Sequence, residues 1–164
     1  MTVFKGTTRN TMPGYALAQA YRMLRHAMDE ALRDYGLTTP QWGALGCMAQ
    51  NEGISGAELA RIHHVTPQTM NTILQNLEQH RMIVREPHPT HGTVLRVLLT
   101  DEGRDRLQQA TRRVETVQER MLSDLSQDER AKLMELLEKC MEALEAGGLA
   151  SADCLPCVDG PIVE

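Results

Sequence analysis

Aromatic residues are scarce in this chain of 164 residues. They make up 3% of the sequence, whereas hydrophobic residues of all kinds make up 41% and methionine occurs ten times. Because aromatic residues favour strands, this balance suits helix-on-helix packing better than a sheet sandwich. The sequence has no apolar run near the roughly 18 residues that a membrane-spanning helix needs, and residues 1–14 lack the apolar segment of a signal peptide. We therefore expect a mainly α, cytoplasmic protein with no membrane partner.

Cysteine and recognisable catalytic motifs are also scarce. Four cysteines are too few for a disulfide scaffold at this length. The sequence contains no Walker loop, dinucleotide fingerprint, nucleophile elbow or His-Glu-x-x-His zinc helix. His63 and His64 are adjacent and would point to different helix faces, which does not match the one-face spacing that zinc favours. We therefore expect neither an enzyme nor a resident cofactor, and no metal site on histidines.

The net charge of −5 is distributed unevenly along the chain. Residues 123–164 hold ten acidic and three basic side chains, which leaves a net charge of +2 on the first 122 residues. Five of the six histidines fall between His63 and His91. This mildly basic middle, next to an acidic end, is where we expect a polyanion to bind.

Helix start signals recur along the chain. Thr39-Pro40 and Thr66-Pro67 each pair an N-cap threonine with a proline at the first helical position. Residues 55–58 and 126–129 have the spacing of a capping box. Combined with apolar residues that repeat every three or four positions, these signals predict six helices, at about residues 15–35, 40–53, 56–63, 67–80, 101–121 and 127–146.

Between the fourth and fifth predicted helices the pattern changes. Residues 83–86 and 94–98 are β-favouring runs, and the loop between them has two prolines and a glycine. Three short helices followed by a hairpin predict a winged helix-turn-helix over residues 39–100.

The flanking helices, residues 15–36 and 101–146, carry apolar stripes that a block of about 60 residues is too small to cover. Burial against a second copy of the chain would cover these stripes, so we predict a twofold homodimer with these segments as dimerisation helices. Residues 15–148 would form a single domain. A flexible N-terminus, residues 1–14, and a mobile tail, residues 149–164, would flank it.

The fourth predicted helix has an unusual polar face. No Lys, Arg, Asp or Glu occurs from Ile62 to Leu77, although a solvated helix face normally carries charges. Asn and Gln amides pair with adenine in the major groove of duplex DNA, and threonine methyl groups contact thymine. We interpret this face as one that reads base edges; the alternative is a surface helix that lacks charge by chance. The candidate DNA-binding residues are Thr66, Gln68, Thr69, Asn71, Thr72, Gln75 and Asn76.

The predicted wing and two helix N-termini supply candidate phosphate contacts. Cations and hydroxyls of the wing would bind phosphate oxygens and set affinity and register. Amides at the starts of the second and third helices, near Thr39 and Ser55, would act in the same way. The alternative is a plain solvent-exposed hairpin. The wing candidates are Arg85, His88, Thr90, His91, Thr93 and Arg96.

Residues 15–146 resemble the multiple-antibiotic-resistance regulator (MarR) family of winged-helix transcription factors. Four segments carry the resemblance through their order and spacing: Leu37-Thr-Thr-Pro-Gln-Trp42, Gly56-Ala-Glu-Leu-Ala-Arg61, Val65-Thr-Pro-Gln-Thr-Met-Asn-Thr-Ile-Leu-Gln-Asn-Leu-Glu78 and Leu99-Thr-Asp-Glu-Gly103. The resemblance implies a homodimer with interlocked first and last helices, whose paired recognition helices lie in successive major grooves of a pseudo-palindrome. It also implies a repressor that is released by a small, often phenolic, ligand or by cysteine oxidation.

The chain departs from the family pattern at two positions. The wing tip of relatives commonly carries an Asp-x-Arg pair, whereas this chain has His91-Gly92-Thr93. The usual minor-groove contact would then pass to His91 or Arg85. Relatives usually have glycine after the recognition helix; Arg81 stands there in this chain and is a further candidate phosphate contact.

The resemblance also points to an effector crevice between the dimerisation helices and the winged-helix lobe. The residues in the elements that would wall it are Tyr21, Arg22, His26 and Trp42. Arg22 would pair with a carboxylate, and Trp42 would stack on a ring. The alternative for Tyr21 and Trp42 is simple core packing.

The cysteines leave a second regulatory mechanism open. Cys154 and Cys157 have the two-residue spacing of a zinc half-site or a dithiol switch, although no matching Cys or His pair lies near them. Cys47, near the expected crevice, is either a reactive thiol or a packed core residue, and Cys140 fits a small core residue. The alternatives to a ligand-released repressor are therefore a redox- or metal-responsive regulator and a helical protein-interaction module that does not bind DNA.

Overall fold

A computed structural model describes residues 12–87 and 95–146 of the chain. The helices and strands in it follow the predicted order. They are α1 Pro13–Leu32, a 3-10 turn Arg33–Tyr35, α2 Thr39–Gln50, α3 Gly56–Ile62, α4 Pro67–Gln79, β1 Ile83–Pro87, β2 Leu95–Leu99, α5 Asp101–Met121 and α6 Gln127–Ala146. This is the predicted fold class, a mainly α winged helix-turn-helix with long helices before and after it.

Local capping determines where most of the helices begin. The Ser55 hydroxyl accepts a hydrogen bond from the Glu58 amide, and the Glu58 carboxylate accepts from the Ser55 amide, so the predicted capping box of α3 is present. Thr66 and Thr100 cap α4 and α5. The predicted cap of α2 is wrong by one residue, because the cap is Thr38, whose amide donates to Oε1 of Gln41 at 2.8 Å.

The wing is an antiparallel hairpin. Ile83 pairs with Leu99 and Pro87 with Leu95, which extends β1 one residue beyond the predicted run and moves β2 one residue toward the C-terminus. The start of α3 joins the hairpin, because the Val97 amide donates to the Ile54 carbonyl at 2.9 Å. The wing is thereby attached to the helix-turn-helix at its base.

A single core joins the winged helix-turn-helix to α1 and α5. Its largest fully buried side chains come from α1 to α5 and from the wing: Leu32, Leu45, Cys47, Leu59, Met70, Leu77, Met82, Ile83, Val97 and Val114. Trp42 of α2 is half-buried, and its Nε1 donates to Oγ1 of Thr111 on α5 at 3.0 Å. The lobe and the long helix are therefore connected by a specific polar contact as well as by packing.

Gly103, in the first turn of α5, lies against the backbone of Met82, which follows α4. A Cβ atom built at this position would lie 2.0 Å from the carbonyl oxygen of Met82. Only glycine allows this approach without moving a backbone. The Thr100 amide also donates to that carbonyl, at 3.1 Å, so the first turn of α5 is positioned against the backbone at Met82.

Helix α6 buries none of its described side chains within the single chain. Its apolar residues are largely open to solvent, and so is the first half of α1. Cys140 of α6, which we expected to be a small core residue, is exposed for the same reason. The exposed apolar residues of the two helices are Tyr15, Leu17, Tyr21, Met23, Met134, Leu136, Met141 and Leu144. Among the described residues, no helix combines the length and the apolar character needed to cross a membrane.

Candidate nucleic-acid interface

Helix α4 has a buried apolar face and an exposed, uncharged one. Met70, Leu74 and Leu77 are at most 2% exposed and attach the helix to the core. Before the last turn of the helix, five exposed residues have uncharged hydrogen-bonding side chains, here called the recognition face: Gln68, Thr69, Asn71, Thr72 and Gln75. The predicted separation into two faces is confirmed, while the contact with DNA stays a prediction.

Hydroxyl groups at the start of α4 are partly engaged within the helix. The Thr66 hydroxyl accepts from the Thr69 amide at 3.1 Å and lies 2.8 Å from the Thr69 hydroxyl. Thr72 Oγ1 donates to the Gln68 carbonyl at 3.1 Å. Because the proton of Thr72 is used in this way, its oxygen lone pairs are what the hydroxyl offers to a ligand.

Arg85 connects the wing to the recognition face. Its Nη1 donates to Oδ1 of Asn71 at 2.8 Å, and its Nε lies 3.2 Å from Oε2 of Glu78. That second contact is an ion pair, although Nε makes no hydrogen bond with any described residue. The Arg85 side chain is only 17% exposed. We expected Arg85 to be a phosphate contact; the structure instead places its guanidinium between two residues of α4.

Asn76 is tied to α2 rather than open to solvent. Gln41 donates from Nε2 to Oδ1 of Asn76 at 2.6 Å, and Asn76 is half-buried. The Asn76 carbonyl lies 2.8 Å from Nδ1 of His80. Asn76, which we expected to read base edges, thus orients the helix through Gln41. No local pattern in the sequence indicates this contact, since Gln41 and Asn76 are 35 positions apart.

Arg96 is engaged within the wing. Its Nη2 donates at 2.9 Å to Oε2 of Glu86, its register partner on β1. This ion pair neutralises much of the charge that we expected Arg96 to offer to phosphates. The other predicted wing residues, His88, Thr90, His91 and Thr93, lie outside the described residues.

Arg81 adopts a backbone conformation that favours glycine. Its φ is +58°, and the Met82 amide donates to the Leu77 carbonyl while the Arg81 amide donates to the Glu78 carbonyl. These bonds form a Schellman motif with Arg81 at the left-handed position, where relatives usually have glycine. The Arg81 side chain is exposed, as a phosphate contact requires.

The N-terminus of α2 already holds a carboxylate. Asp29 of α1 accepts from the Thr39 amide at 2.8 Å and from the Thr39 hydroxyl at 2.7 Å. Partial burial pushes the pKa of Asp29 up, but the two Thr39 bonds, with Arg25 and His26 nearby, outweigh it and hold this pKa below its usual range. A phosphate at Thr39 would meet this negative charge, which argues against the phosphate contact that we expected there.

Ser55 is in a similar position at the start of α3. Its hydroxyl donates to Oε2 of Glu58 at 2.7 Å, and its amide donates to the same oxygen. The predicted phosphate contact at Ser55 would therefore have to share these donors with a carboxylate.

His63, in the turn between α3 and α4, packs against α2. A Cβ atom built at Gly43 would lie 3.2 Å from Cε1 of His63, so the ring needs the space that glycine leaves. Its Nε2 is buried and has no hydrogen-bond partner among the described residues. Burial, and then the charge of His64, lower the pKa of His63 below its ordinary value. Because charging this buried ring is costly, it is poorly suited to act as a cation for DNA.

Two cavities open on the described surface near these elements. One, of about 210 Å³, lies at the base of the wing and is lined mainly by apolar groups of α3, α4 and β2, together with Asn71 and Arg85. The other, of about 550 Å³, lies between the 3-10 turn and α5. Asp34, Glu102 and Asp105 line it, with Arg106 as its cation. The second cavity has an excess of negative charge, whereas the charged residue of the first is Arg85.

The predicted effector residues do not line either cavity. Tyr21, Arg22 and His26 are exposed on α1, and Trp42 is packed against the core. Within the single chain, these four residues do not form a site.

The four cysteines lie in different parts of the chain, with Cys47 in the core and Cys140 on the surface. Cys47 is fully buried, which favours the packing role over the reactive thiol. Cys154 and Cys157 lie outside the described residues. Within residues 12–87 and 95–146, no group of three or more His, Cys, Asp or Glu side chains is arranged to hold a metal ion.

Comparison with known proteins identifies the family. Residues 35–92 match the model described as MarR family. The HTH-type transcriptional repressor Rv2887 of Mycobacterium tuberculosis is 36% identical over 126 residues, which cover 77% of this chain and 91% of the repressor.

Solved structures of Rv2887 have the same fold. Its complex with DNA superposes with a TM-score of 0.67 at 33% identity, over 79% of this chain and 98% of that one. Its complex with salicylic acid gives a TM-score of 0.65 at 35% identity, over 79% and 96% of the two chains. The winged helix-turn-helix, the two-faced α4 and these likenesses agree, and the chain belongs to the MarR family of DNA-binding transcriptional regulators.

Proposed function

We propose that the chain is a homodimeric repressor that binds a pseudo-palindromic operator through α4 and is released by a small aromatic acid. The recognition face is the observation that carries the proposal. Its five residues offer hydrogen-bonding groups without charge, the chemistry that reads base edges in the major groove. A regulator of this kind acts on chromosomal DNA in the cytoplasm.

Exposed apolar surface supports the homodimer. Leu136, Met141 and Leu144 of α6 are between 41% and 59% exposed, and Leu17 and Tyr21 of α1 are 51% and 57% exposed. So much apolar surface on helices is typical of an interface. A second copy supplies a complementary surface through twofold symmetry, which also presents two recognition helices to one duplex.

Phosphate contacts in this proposal come from the exposed cation after α4 and from the wing tip. Arg81 is exposed at the end of α4, whereas Arg85 and Arg96 are held in ion pairs. His88, Thr90, His91 and Thr93 would contact the backbone from the tip. We assign the direct base contacts to Gln68, Thr69, Asn71, Thr72 and Gln75.

The cavity at the base of the wing is our proposed effector site. It has an apolar lining, including Leu74 and Val97, and Arg85 is among its lining residues. A carboxylate bound there would compete with Asn71 for Arg85, because its charge-assisted bond is stronger than the bond to the neutral amide oxygen of Asn71. Binding would thereby disturb the recognition face and weaken operator binding. The relative Rv2887 has been solved with salicylic acid, an aromatic acid of this class.

Operator binding is tested by substitutions on the recognition face. Gln68→Ala and Thr72→Ala should each reduce the discrimination between operator and random duplex by about tenfold, with little loss of affinity for random duplex. Gln50→Ala, on the exposed last turn of α2, is the control. Equal losses on both duplexes would contradict base reading, and retention on DNA that does not depend on salt would contradict DNA binding itself.

The oligomeric state and the effector need separate measurements. Sedimentation at micromolar concentration should give a dimer; a clean monomer would contradict the account of α1 and α6. Salicylate should release the operator from the wild-type protein but not from Arg85→Met, with Arg96→Met as the matched control in the same wing.

Truncation after Gly148 should leave DNA binding and its response to salicylate intact. Loss of an oxidant response on truncation would instead assign a sensor role to Cys154 and Cys157.

A further inference from the structure

The amide of Asn71 has a fixed orientation, because its partner can only donate. A guanidinium has no hydrogen-bond acceptor, so the Asn71 atom that lies 2.8 Å from Arg85 Nη1 must be the oxygen Oδ1. Arg85 Nη2 also donates to the backbone carbonyl of Asn71, at 3.5 Å. The amide nitrogen has no acceptor among the described residues, so its two N–H groups can bind a ligand of the exposed Asn71 side chain.

Asn76 is fixed in the same way through a chain of two bonds. The Thr38 amide is an obligatory donor, so the Gln41 atom 2.8 Å away must be Oε1. The other end of that amide, Nε2, is then the donor to Asn76, whose atom at 2.6 Å must be Oδ1. In both asparagines of α4, a donor from the protein therefore fixes the amide orientation and takes one lone pair of the oxygen.

This polarity restricts what Asn71 can read in a major groove. Bidentate recognition of adenine requires the amide oxygen to accept from N6 while the nitrogen donates to N7. The charge-assisted bond from Arg85 takes one of the two lone pairs of that oxygen. It also holds a positive charge beside the oxygen, which opposes the approach of the electropositive N6 amino hydrogens of adenine. Guanine, in contrast, offers two acceptors, O6 and N7, to the N–H groups that remain.

We propose that Arg85 holds Asn71 as a hydrogen-bond donor, so that Asn71 selects guanine in each half-site rather than adenine. Arg85 is then a specificity-determining residue that acts through Asn71 without contacting the base. This inference rests on the proposed function, in which the recognition face lies in the major groove. It replaces the pairing of Asn71 with adenine that its residue type alone suggests.

The test starts from a pool of random-sequence duplexes selected by the full-length protein. Asn71→Ala identifies the base pair that Asn71 reads, since preference should be lost at that position alone. The wild type should prefer guanine over adenine there by about tenfold. Replacement of that guanine by 7-deazaguanine, which lacks the N7 acceptor, should reduce affinity several-fold.

Two arginine variants separate the role of Arg85 from loss of charge. Arg85→Met frees the oxygen of Asn71 and should bring adenine to within about twofold of guanine at the same position. Arg96→Met removes an equal charge from the same hairpin, but Arg96 pairs with Glu86 and not with Asn71, so it should keep the wild-type preference. Circular dichroism melting of each variant checks that the fold is retained.

The outcomes distinguish this inference from the proposed function. Selection of adenine at the Asn71 position by the wild type would overturn the inference, and so would identical base preferences for Arg85→Met and Arg96→Met. An Asn71→Ala variant that keeps every base preference would also overturn it, while leaving operator binding in place. Failure of the wild type to select any sequence would instead contradict the proposed function.

Discussion

Gln41 of α2 donates a hydrogen bond to Asn76 of α4, with 2.6 Å between Nε2 and Oδ1. Gln41 also accepts from the Thr38 amide at the N-terminus of its own helix. The side chain of Gln41 therefore takes part in the cap of α2 and also holds one side of α4. A helix that is held at both faces, by Leu74 in the core and by Gln41 at its side, presents its polar residues to a duplex in a fixed geometry.

Gln41→Ala should lower both stability and operator affinity. Loss of the two bonds should reduce the free energy of unfolding by about 1 kcal/mol, the usual net value for such contacts, as measured by urea denaturation. Gln50→Ala, on the exposed last turn of the same helix, should change it by less than about 0.5 kcal/mol. A double mutant with Asn76→Ala tests the contact directly, because fully additive effects would mean that the two residues do not interact.

Gly103→Ala should destabilise the protein strongly. The added methyl group would lie 2.0 Å from the Met82 carbonyl oxygen, so α5 or the end of α4 must move. We expect a loss of about 3 kcal/mol or more in the free energy of unfolding. Gly46→Ala is the matched control in α2, where a Cβ atom would have no neighbour within 4 Å. That substitution should stabilise the helix by about 0.5–1 kcal/mol, and thermal melting that ranks the two variants the other way would contradict this packing.

Capping and periodicity made the helix order predictable, because both depend on residues within one turn of each other. Ser55 caps α3 with Glu58 as their spacing indicated, and Thr66 caps α4 as the following Pro67 indicated. The sequence pattern predicts the cap of α2 one residue late, at Thr39, because two adjacent threonines, Thr38 and Thr39, stand at the start of the helix. The structure gives the cap to Thr38 and ties Thr39 to Asp29 of another helix.

The candidate site was less predictable, because its key contacts join distant segments. Nothing near Arg85 in the sequence indicates that its guanidinium binds Asn71 and Glu78 rather than solvent. Cys140 shows the same limit for burial, since an apolar stripe does not reveal whether its own chain covers it. The two-faced α4 was predictable because a period of 3.6 residues places its apolar residues together without reference to the rest of the fold.

His63 should make stability fall as the pH is lowered. Burial and His64 lower its pKa in the folded state from 6.5, so the unfolded chain takes up the proton first. The stabilisation of the neutral ring is complete above about pH 6.5 and is lost as the pH falls toward the folded pKa. Urea midpoints at pH 8 and pH 5.5 should therefore differ less for His63→Gln than for the wild type.

Gln50→Ala, on the exposed last turn of α2, provides the control for this measurement. It changes no titratable group and should leave the pH dependence of stability close to that of the wild type. If His63→Gln retained the full difference between pH 8 and pH 5.5, the buried ring would not be its source.

Arg81 has a strained backbone at the end of α4 and adds an exposed positive charge there. Two substitutions separate the effect of the strain from the effect of the charge. A non-glycine residue at φ +58° is strained by roughly 1–2 kcal/mol, so Arg81→Gly should raise the free energy of unfolding by about 1 kcal/mol. Arg81→Ala keeps the strain and should not be stabilised. Both variants lose one cation, so both should bind duplex DNA more weakly, with the slope of log affinity against log salt reduced by about one. An unchanged slope in both variants would remove Arg81 from the phosphate contacts, while equal stabilities for Gly and Ala would show that the backbone at this position carries no strain.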